Sequence, residues 1–331
     1  MKLAILGAGN IAKVHAQTVA AHPHIEFAGV ADAVPQAAEA LAEQYGTQVL
    51  DSEALFTDKD IDAVLIASST ATHADFLEKA AEHGKAVLCE KPVALDLERT
   101  RRAVTTVQRT SIVCGLGFNR RHDPQYQELK KRLVEGHIGN LETLMIISRD
   151  PAPPPVAYIK GSGGLFRDMT IHDFDMARWL LADPIREVHA TGSALVNKEI
   201  GAAGDIDTAM ITLVSEQGRL CHISNSRRAA YGYDQRIEAF GSEGMLRAQN
   251  EGETPLLLMR EEGELSAPPK HFYLERYMTA YRRELDDFYM AWKEQRDPLA
   301  TAEDGYQAQR LAEAASRSLH SGQPVRLSDI N

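Results

Sequence analysis

Short apolar runs alternate with amphipathic stretches between residue 2 and residue 118. The runs are rich in Val, Ile, Leu and Ala, which is typical of strands buried on both faces of a sheet. We predict strands at 3–6, 27–31, 63–67, 86–88 and 112–116, and helices at 11–21, 36–45, 74–83 and 97–108. A strand followed by a helix, several times over, predicts a parallel sheet covered by helices on both sides.

After Phe118 the pattern changes. Helical periodicity at 125–135 is followed by a strand at 141–148, a proline-rich stretch, a glycine-rich turn and a helix at 167–181. Further strands are predicted at 187–195, 207–214, 220–226, 235–240 and 245–248, and helices at 277–292 and 304–320. Strands in succession, with turn residues between them, favour a mostly antiparallel sheet. We therefore predict an α/β domain at 1–118 and an α+β domain at 119–299.

The composition narrows the class of ligand. The chain has 331 residues, of which 44% are hydrophobic and 25% charged, and these values are ordinary for a globular protein. Its 36 Lys and Arg against 47 Asp and Glu leave a formal net charge of −11. An acidic chain without a basic cluster lacks the positive surface that nucleic acid or an anionic membrane requires. A small neutral ligand is the better expectation.

The cysteines indicate a reducing compartment. Cys89, Cys114 and Cys221 lie far apart, are odd in number and show no metal-binding spacing. The first apolar run ends at Gly7, too early for a signal peptide, and no run is long enough to cross a membrane. We expect a cytoplasmic protein with three ordinary buried thiols and no metal.

A Gly-x-Gly-x-x-Ala motif lies between the first predicted strand and the first predicted helix, at residues 7–12. In this context Gly7 permits a tight turn, and Gly9 lets a pyrophosphate approach the backbone. Asn10 and Ile11 then begin the helix, whose free N–H groups favour a phosphate. The motif predicts a dinucleotide site of the Rossmann type. A glycine turn without a ligand is the alternative.

Asp32 bears on the identity of the cofactor. It ends the second predicted strand, where a carboxylate can accept hydrogen bonds from both ribose hydroxyls of a dinucleotide. The same charge would repel the 2′-phosphate of NADP, and no Arg or Lys follows in residues 33–36. We therefore predict NAD. The alternative is that Asp32 only caps the turn.

Acidic and imidazole side chains recur at the start of the helix predicted at 167–181. Asp168, His172 and Asp175 stand at i, i+4 and i+7, and so share one helical face. A carboxylate one turn from a histidine can fix its tautomer and stabilise the imidazolium, as a general base requires. Two alternatives stay open: Asp168 as a helix cap beside a surface histidine, and a metal site built on all three residues.

Polar residues also follow two strands of the first domain. Glu90 and Lys91 follow the strand at 86–88, at the edge of the sheet where ligands bind, and Lys91 can stabilise a negative oxygen there. Ser69, Thr70 and His73 follow the strand at 63–67, and their side chains can reach a ribose or cap the next helix. A surface lysine and a simple helix cap are the ordinary alternatives.

Together these residues resemble the glucose–fructose oxidoreductase / inositol dehydrogenase / rhizopine catabolism (Gfo/Idh/MocA) family of two-domain NAD(P) oxidoreductases. The resemblance covers nearly the whole chain and is strongest to the inositol dehydrogenase branch. It is carried by segments 67–74, 89–92, 117–121, 149–151, 168–176 and 225–234. It implies that the second sheet is open and forms a subunit interface, and that a helical segment at about 300–331 packs back on the Rossmann domain.

The resemblance also implies roles for individual residues. Lys91, Asp168 and His172 would form the catalytic set. The residues beside the nicotinamide would be Ser69, Thr70, His73 and Glu90, and those that order the substrate would be Asn119, Asp175, Tyr231 and Tyr233. Judged from spacing alone, two tyrosines that flank a glycine are usually packing residues.

The implied reaction is the NAD-dependent oxidation of a ring secondary alcohol of a cyclic polyol to the ketone, with myo-inositol as the first candidate. scyllo-Inositol and an aldose are the alternatives within the family, and a non-catalytic NAD-sensing regulator is the alternative outside it. A neutral polyol suits Asp168 and Asp175, whose charges would repel an anionic substrate. Lys91, Arg120 or Arg121 could offset that repulsion. The implied assembly is a homo-oligomer, either a tetramer or a dimer.

Overall fold

The computed structural model describes residues 1–330, and the contacts within the chain divide it into two units. The first unit comprises Met1–Asp123 and Thr279–Gln307, and the second comprises Pro124–Met278 together with the residues from Ala308 onward. The boundary therefore lies slightly beyond residue 118. The segment that returns to the first unit is 279–307, which differs from the segment of about 300–331 that the resemblance implied.

A five-stranded parallel sheet forms the centre of the first unit, in the order β2-β1-β3-β4-β5. Its strands are β1 Lys2–Leu6, β2 Glu26–Ala31, β3 Ala63–Ile66, β4 Ala86–Cys89 and β5 Cys114–Leu116. Its helices are α1 Asn10–Ala21, α2 Pro35–Tyr45, α3 Ala54–Thr57, α4 Thr70–Glu82 and α5 Leu97–Thr110, followed by a 3-10 turn at Asn119–His122. The predicted Rossmann architecture is confirmed. Because the strand order reverses between β1 and β3, ligands are expected at the carboxyl ends of these strands.

Apolar residues at every position of β3 and β4 explain why this sheet is buried on both faces. The core around it includes Leu3 and Leu65 from the strands and also Leu285 and Phe288 from the returning segment. These last two side chains are buried. The returning segment therefore belongs to the first unit because it completes the hydrophobic core there.

A seven-stranded sheet forms the centre of the second unit, in the order β11-β10-β6-β9-β8-β7-β14. Its strands are β6 Leu141–Arg149, β7 Ile185–Ser193, β8 Thr208–Ser215, β9 Leu220–Ser226, β10 Asp234–Gly241, β11 Gly244–Ala248 and β14 Val325–Arg326, and β12 Leu257–Arg260 pairs separately with β13 Gly263–Ser266. All neighbours in the large sheet are antiparallel except β6 and β9, which are parallel. The predicted open, mostly antiparallel sheet is confirmed.

The remaining helices lie before, between and after these strands along the chain. They are α6 Pro124–Val134, α7 Val156–Ser162, α8 Leu165–Asp168, α9 Thr170–Leu181, α10 Lys198–Ala202, α11 Tyr273–Glu294 and α12 Ala302–Ser321, with a 3-10 turn at Leu327–Asp329. Helix α11 passes into the first unit at Thr279, and α12 leaves it after Gln307. Across residues 1–330, no helix combines the length and the apolar character that spanning a bilayer would require.

The helix predicted at 167–181 is two helices in the structure. Helix α8 ends at Asp168 and α9 begins at Thr170, with Met169 between them at φ −101° and ψ −58°. The predicted single helix is therefore interrupted by one residue, which separates Asp168 on α8 from His172 and Asp175 on α9, although the backbone of Met169 is itself right-handed helical. The break carries no glycine or proline; instead, the side chains of Asp168 and Thr170 bind partners outside the helix.

Candidate functional site

The turn between β1 and α1 has the shape that a pyrophosphate site needs. Gly7 has φ +116°, and a Cβ at this position would clash with the carbonyl group of Ala67. Gly9 faces open space, with nothing within 4 Å of the position of a Cβ. Helix α1 begins without a side-chain cap and without an acidic residue in its first turn, so its N–H groups can meet an anion. This arrangement fits the diphosphate of NAD.

Asp32 connects the glycine turn to the start of α2. Its Oδ2 accepts a hydrogen bond of 2.7 Å from the Ala8 N–H, and its Oδ1 accepts one of 2.7 Å from the Val34 N–H. Each carboxylate oxygen keeps a further acceptor position, which a ribose hydroxyl could occupy. Asp32 therefore stabilises the turn, as the capping alternative stated, and also fits the ribose of NAD.

His73 connects the turns that follow β3 and β4. It is buried, with Nδ1 2.9 Å from the Pro92 carbonyl oxygen and Nε2 3.0 Å from the Ser68 carbonyl oxygen. Both ring nitrogens thus face protein carbonyl groups, so His73 contributes to this edge of the sheet by holding the two turns. Ser69 occupies the N-cap of α4, but its side chain makes no capping hydrogen bond, and Thr70 is the first helical residue.

Glu90 lies buried at the end of β4, directly before Lys91. Its Oε1 lies 2.7 Å from His15 Nε2, and its Oε2 accepts from the Lys91 N–H at 3.3 Å. Burial opposes ionisation, but the hydrogen bond and charge of His15, with the charges of Lys91 and His73, outweigh it and lower the pKa of Glu90. A Cβ on Gly117 would stand 2.8 Å from Oε2, so this carboxylate needs a glycine opposite it.

A second buried carboxyl group in the first unit has a different environment. Glu284 of α11 is 2% exposed, and neither of its carboxyl oxygens has a hydrogen-bond partner among residues 1–330. Burial, followed by the charges of Glu90 and Asp287, raises the pKa of Glu284 well above its ordinary value. The folded protein therefore retains a proton that the unfolded chain releases. The stability that Glu284 contributes is complete at low pH and is lost as the pH rises towards its folded-state pKa.

We expect Glu284→Gln to raise the Tm at pH 8 by several degrees, since each kcal/mol of stability corresponds to roughly 2–4 °C in a protein of this size class. The gain in Tm should be smaller at pH 5. At that pH the carboxyl group of the wild-type unfolded chain is protonated to a greater extent than at pH 8, so less stability is lost. Thermal melts across this pH range measure the effect. The exposed Glu43→Gln is the matched control. Equal changes in Tm at pH 5 and pH 8 would contradict the assignment.

In the second unit, buried hydrogen bonds fasten the first turn of α9 to the sheet. Thr170 Oγ1 donates to Asn225 Oδ1 at 2.7 Å, and Asn225 Nδ2 donates to Asp173 Oδ2 at 2.8 Å. Ser148 Oγ donates to the other oxygen of Asp173 at 2.5 Å. All four side chains are buried, and a satisfied buried network of this kind is rigid. Because His172 lies between Thr170 and Asp173, its backbone is fixed relative to β6 and β9.

Asp168 is held from two directions at the end of α8. Arg227 Nη2 lies 3.1 Å from Oδ2, and the Tyr158 hydroxyl donates to Oδ1 at 2.9 Å. Asp168 does not cap α9, because the N-cap of that helix is Met169 and no side chain caps it. Within the described residues, no group of three or more His, Cys, Asp or Glu side chains is placed to hold a metal ion.

The two tyrosines named as substrate residues have different surroundings. The Tyr231 hydroxyl donates to Asp234 Oδ2 at 2.6 Å and accepts from Arg149 Nη1 at 2.8 Å. Tyr233 is 7% exposed and packs edge-on against Phe272. The Tyr231 hydroxyl therefore forms hydrogen bonds with an arginine and an aspartate. The Tyr233 ring takes part in packing, as its spacing favoured.

The other predicted substrate residues, Asn119 and Asp175, are buried. Asn119 lies in the 3-10 turn after β5, and Asp175 lies on α9. Arg121, named as a counter-charge for an anionic substrate, forms an ion pair of 2.9 Å with Asp304 in its own unit. The side chain that neutralises Asp168 is Arg227, which the sequence did not single out for this role.

The predicted site residues are divided between the two units. Those of the first unit are Gly7, Gly9, Asn10, Ile11, Asp32, Ser69, Thr70, His73, Glu90, Lys91 and Asn119, and those of the second are Asp168, His172, Asp175, Tyr231 and Tyr233. In the first unit they gather at the carboxyl ends of the strands, as in other sheets of this topology. In the second they lie on α8, on α9 and just before β10.

Two family models match the chain. Residues 1–118 match "Oxidoreductase family, NAD-binding Rossmann fold", and residues 126–247 match "GFO/IDH/MocA C-terminal domain". An inositol 2-dehydrogenase of Rhizobium meliloti is 45% identical over 96% of this chain and 97% of its own length.

Solved structures give the same result. A myo-inositol dehydrogenase of Corynebacterium glutamicum is 43% identical with a TM-score of 0.95, and the match covers 99% of this chain and 98% of that one. A scyllo-inositol dehydrogenase of Lactobacillus casei, solved with NAD(H) and scyllo-inositol, is 30% identical with a TM-score of 0.92 and 99% coverage of both chains. The likeness extends over both units.

Proposed function

This chain belongs to the GFO/IDH/MocA family of NAD-binding oxidoreductases, and from that premise we propose that it oxidises a ring hydroxyl of a cyclic polyol to the ketone. The first substrate we propose is myo-inositol, oxidised at C2. The observation that carries this choice is the 45% identity, across nearly the whole chain, to a protein named inositol 2-dehydrogenase. NAD, when bound, supplies the hydride acceptor.

We propose three catalytic side chains. His172 takes the proton of the reacting hydroxyl, because α9 fixes its backbone and an imidazole can change its protonation state near neutral pH. Asp168 supports the imidazolium that forms. Lys91 donates a hydrogen bond to the same oxygen and stabilises its negative charge as the proton leaves.

We propose that the remaining predicted residues bind NAD or orient the polyol. Gly7, Gly9 and the start of α1 hold the diphosphate, and Asp32 accepts the adenosine ribose hydroxyls. We keep Ser69, Thr70, Glu90 and Asn119 beside the nicotinamide and the substrate. Asp175, Tyr231 and Tyr233 are retained as candidates for ordering the polyol.

The charged residues still support a neutral substrate, but the argument differs from the one made from the sequence. Asp168 is neutralised by Arg227 within the second unit, so repulsion of an anion falls mainly to Asp175. Arg121 is engaged by Asp304 and so does not supply the offsetting charge considered from the sequence. A polyol remains the better fit because hydroxyl groups can donate to carboxylates.

A spectrophotometric screen tests the function. We expect NADH formation with myo-inositol at a kcat/KM above that with scyllo-inositol or glucose, and turnover with NAD above turnover with NADP because of Asp32. Preference for scyllo-inositol would reassign the isomer, and preference for glucose would reassign the substrate class. No turnover with any polyol, together with an NAD-induced rise in Tm, would support the alternative of an NAD-sensing regulator.

We also propose a cytoplasmic homo-oligomer, a tetramer or a dimer. Three free, buried cysteines support a reducing compartment. Strand pairing places Met145, Met210, Phe240 and Met245 on one face of the second sheet, each 44–55% exposed, which supports a subunit contact there. Sedimentation velocity measures the assembly, and a monomer at micromolar concentration would contradict it.

A further inference from the structure

Arg227 places a full positive charge inside the second unit. It follows β9, is 1% exposed, and its backbone N–H donates to the Asp207 carbonyl oxygen at 2.8 Å. A buried guanidinium is costly unless it is paired. Within residues 1–330 the carboxylate that pairs with it is Asp168, at 3.1 Å. The end of β9 thus fixes the backbone of Arg227, and Asp168 provides the negative charge that its guanidinium binds.

Tyr158 contacts the other oxygen of the same carboxylate. It lies on α7, a helix that the sequence analysis did not predict, and its hydroxyl donates to Asp168 Oδ1 at 2.9 Å. Although Tyr158 is 52% exposed, partial burial of its hydroxyl, followed by the charge of Asp168 and the hydrogen bond to it, raises the pKa of Tyr158. The phenol therefore stays protonated at any working pH and remains a hydrogen-bond donor.

The two donors come from different parts of the fold and bind different oxygens of Asp168. A carboxylate held at one oxygen can still rotate about its Cβ–Cγ bond, whereas a carboxylate held at both cannot rotate without losing a hydrogen bond. Asp168 is the last residue of α8 and lies outside α9, so these two hydrogen bonds contribute to the orientation of its side chain.

We propose that Tyr158 and Arg227 are positioning residues that act through Asp168, an inference that rests on the proposed catalytic role of Asp168 beside His172. They hold the carboxylate in the one orientation that supports the imidazolium. Misplacing a catalytic group by about 1 Å can cost up to about 10²-fold in rate, so loss of either donor should lower kcat while the binding of NAD is unaffected.

The first test removes single donors. We expect Tyr158→Phe to lower kcat about 10-fold and Arg227→Lys to lower it about 10- to 100-fold, with the Kd for NAD within a factor of two of wild type. The control for the first is Tyr289→Phe, which removes a hydroxyl that has no hydrogen bond among the described residues. The control for the second is Arg228→Lys, the same exchange at the exposed neighbouring position. Unchanged kcat in Tyr158→Phe would overturn the proposal.

The second test asks whether the effect passes through Asp168. In an Asp168→Asn background, Tyr158→Phe should cause no further loss of kcat, because the carboxylate that it orients is gone. An undiminished further loss would overturn the proposal, since Tyr158 would then act by another route. A purely structural role would lower the Tm of Tyr158→Phe and leave its kcat per folded molecule unchanged, which would also overturn it.

The two proposals fail in different ways. If the wild-type protein turns over no polyol, then the proposed function fails and this inference fails with it. If the wild-type protein turns over a polyol and Tyr158→Phe and Arg227→Lys do so equally well, then only the positioning role fails.

Discussion

Replacing His172 with alanine should lower kcat on the preferred polyol by roughly 10²- to 10⁴-fold, the contribution typical of a general base. The binding of NAD should change little, because the proposed diphosphate and ribose contacts lie on the glycine turn and Asp32 of the first unit. Stopped-flow or steady-state kinetics measure kcat, and fluorescence quenching measures the affinity for NAD. The exposed His137→Ala is the matched control.

Two other outcomes of the His172→Ala experiment would be informative. Wild-type turnover in His172→Ala would remove the histidine from the reaction, and Lys91 would then be the first candidate for the proton acceptor. A loss of turnover together with a large fall in Tm would indicate that His172 is needed for the packing of α9, and the more conservative His172→Gln would then separate the two effects.

Gly7→Ala should abolish the binding of NAD and lower the stability of the protein. The new Cβ meets the carbonyl group of Ala67, and alanine is strained at φ +116°. Gly9→Ala should leave the Tm unchanged, because the position of its Cβ is open and its φ of −74° suits alanine. The same open space is where the diphosphate approaches, so Gly9→Ala should still weaken NAD binding by at least about 10-fold.

The rise in Tm with increasing NAD concentration measures the binding of NAD by each variant, since a ligand that binds the folded state stabilises it. Wild type should show a clear rise, Gly9→Ala a smaller one, and Gly7→Ala none from a lowered starting Tm. If Gly9→Ala binds NAD as tightly as wild type, the diphosphate does not lie against this turn.

The nucleotide half of the molecule could be predicted well because its signals are local. The glycines of residues 7–12, the buried strand β3 and the acid at position 32 each occupy a place that a short stretch of sequence defines. Helix α4 shows the limit of this approach. It begins at Thr70 rather than near residue 74, because the hydroxyl-rich stretch after β3 enters the helix instead of standing before it.

The second unit was harder to predict at the residues that matter most. The split between α8 and α9 at Met169 carries no helix-breaking residue, and α7 follows prolines that favoured an irregular segment. The pairing of Arg227 with Asp168 joins positions 59 residues apart. Periodicity and spacing describe neighbours along the chain, and they carry no information about contacts of this range.

The buried acids show a similar limit. Glu284 stands in an amphipathic helix, where a glutamate usually faces water, yet it lies in the interior near Glu90. Its burial depends on α11 passing into the first unit at Thr279, whereas the resemblance implied a returning segment at about 300–331. Nothing in the local sequence around Glu284 indicates that it is buried.

The polypeptide passes between its two units three times, after Asp123, Met278 and Gln307. A gene truncated at residue 118 would therefore encode the nucleotide-binding strands without Leu285 and Phe288, and the hydrophobic surface that these side chains cover would be open to water. Anyone wishing to recombine this half with a different partner module would have to transplant 279–307 along with it, joined by an artificial linker, because the modular unit of exchange here is not a continuous stretch of codons.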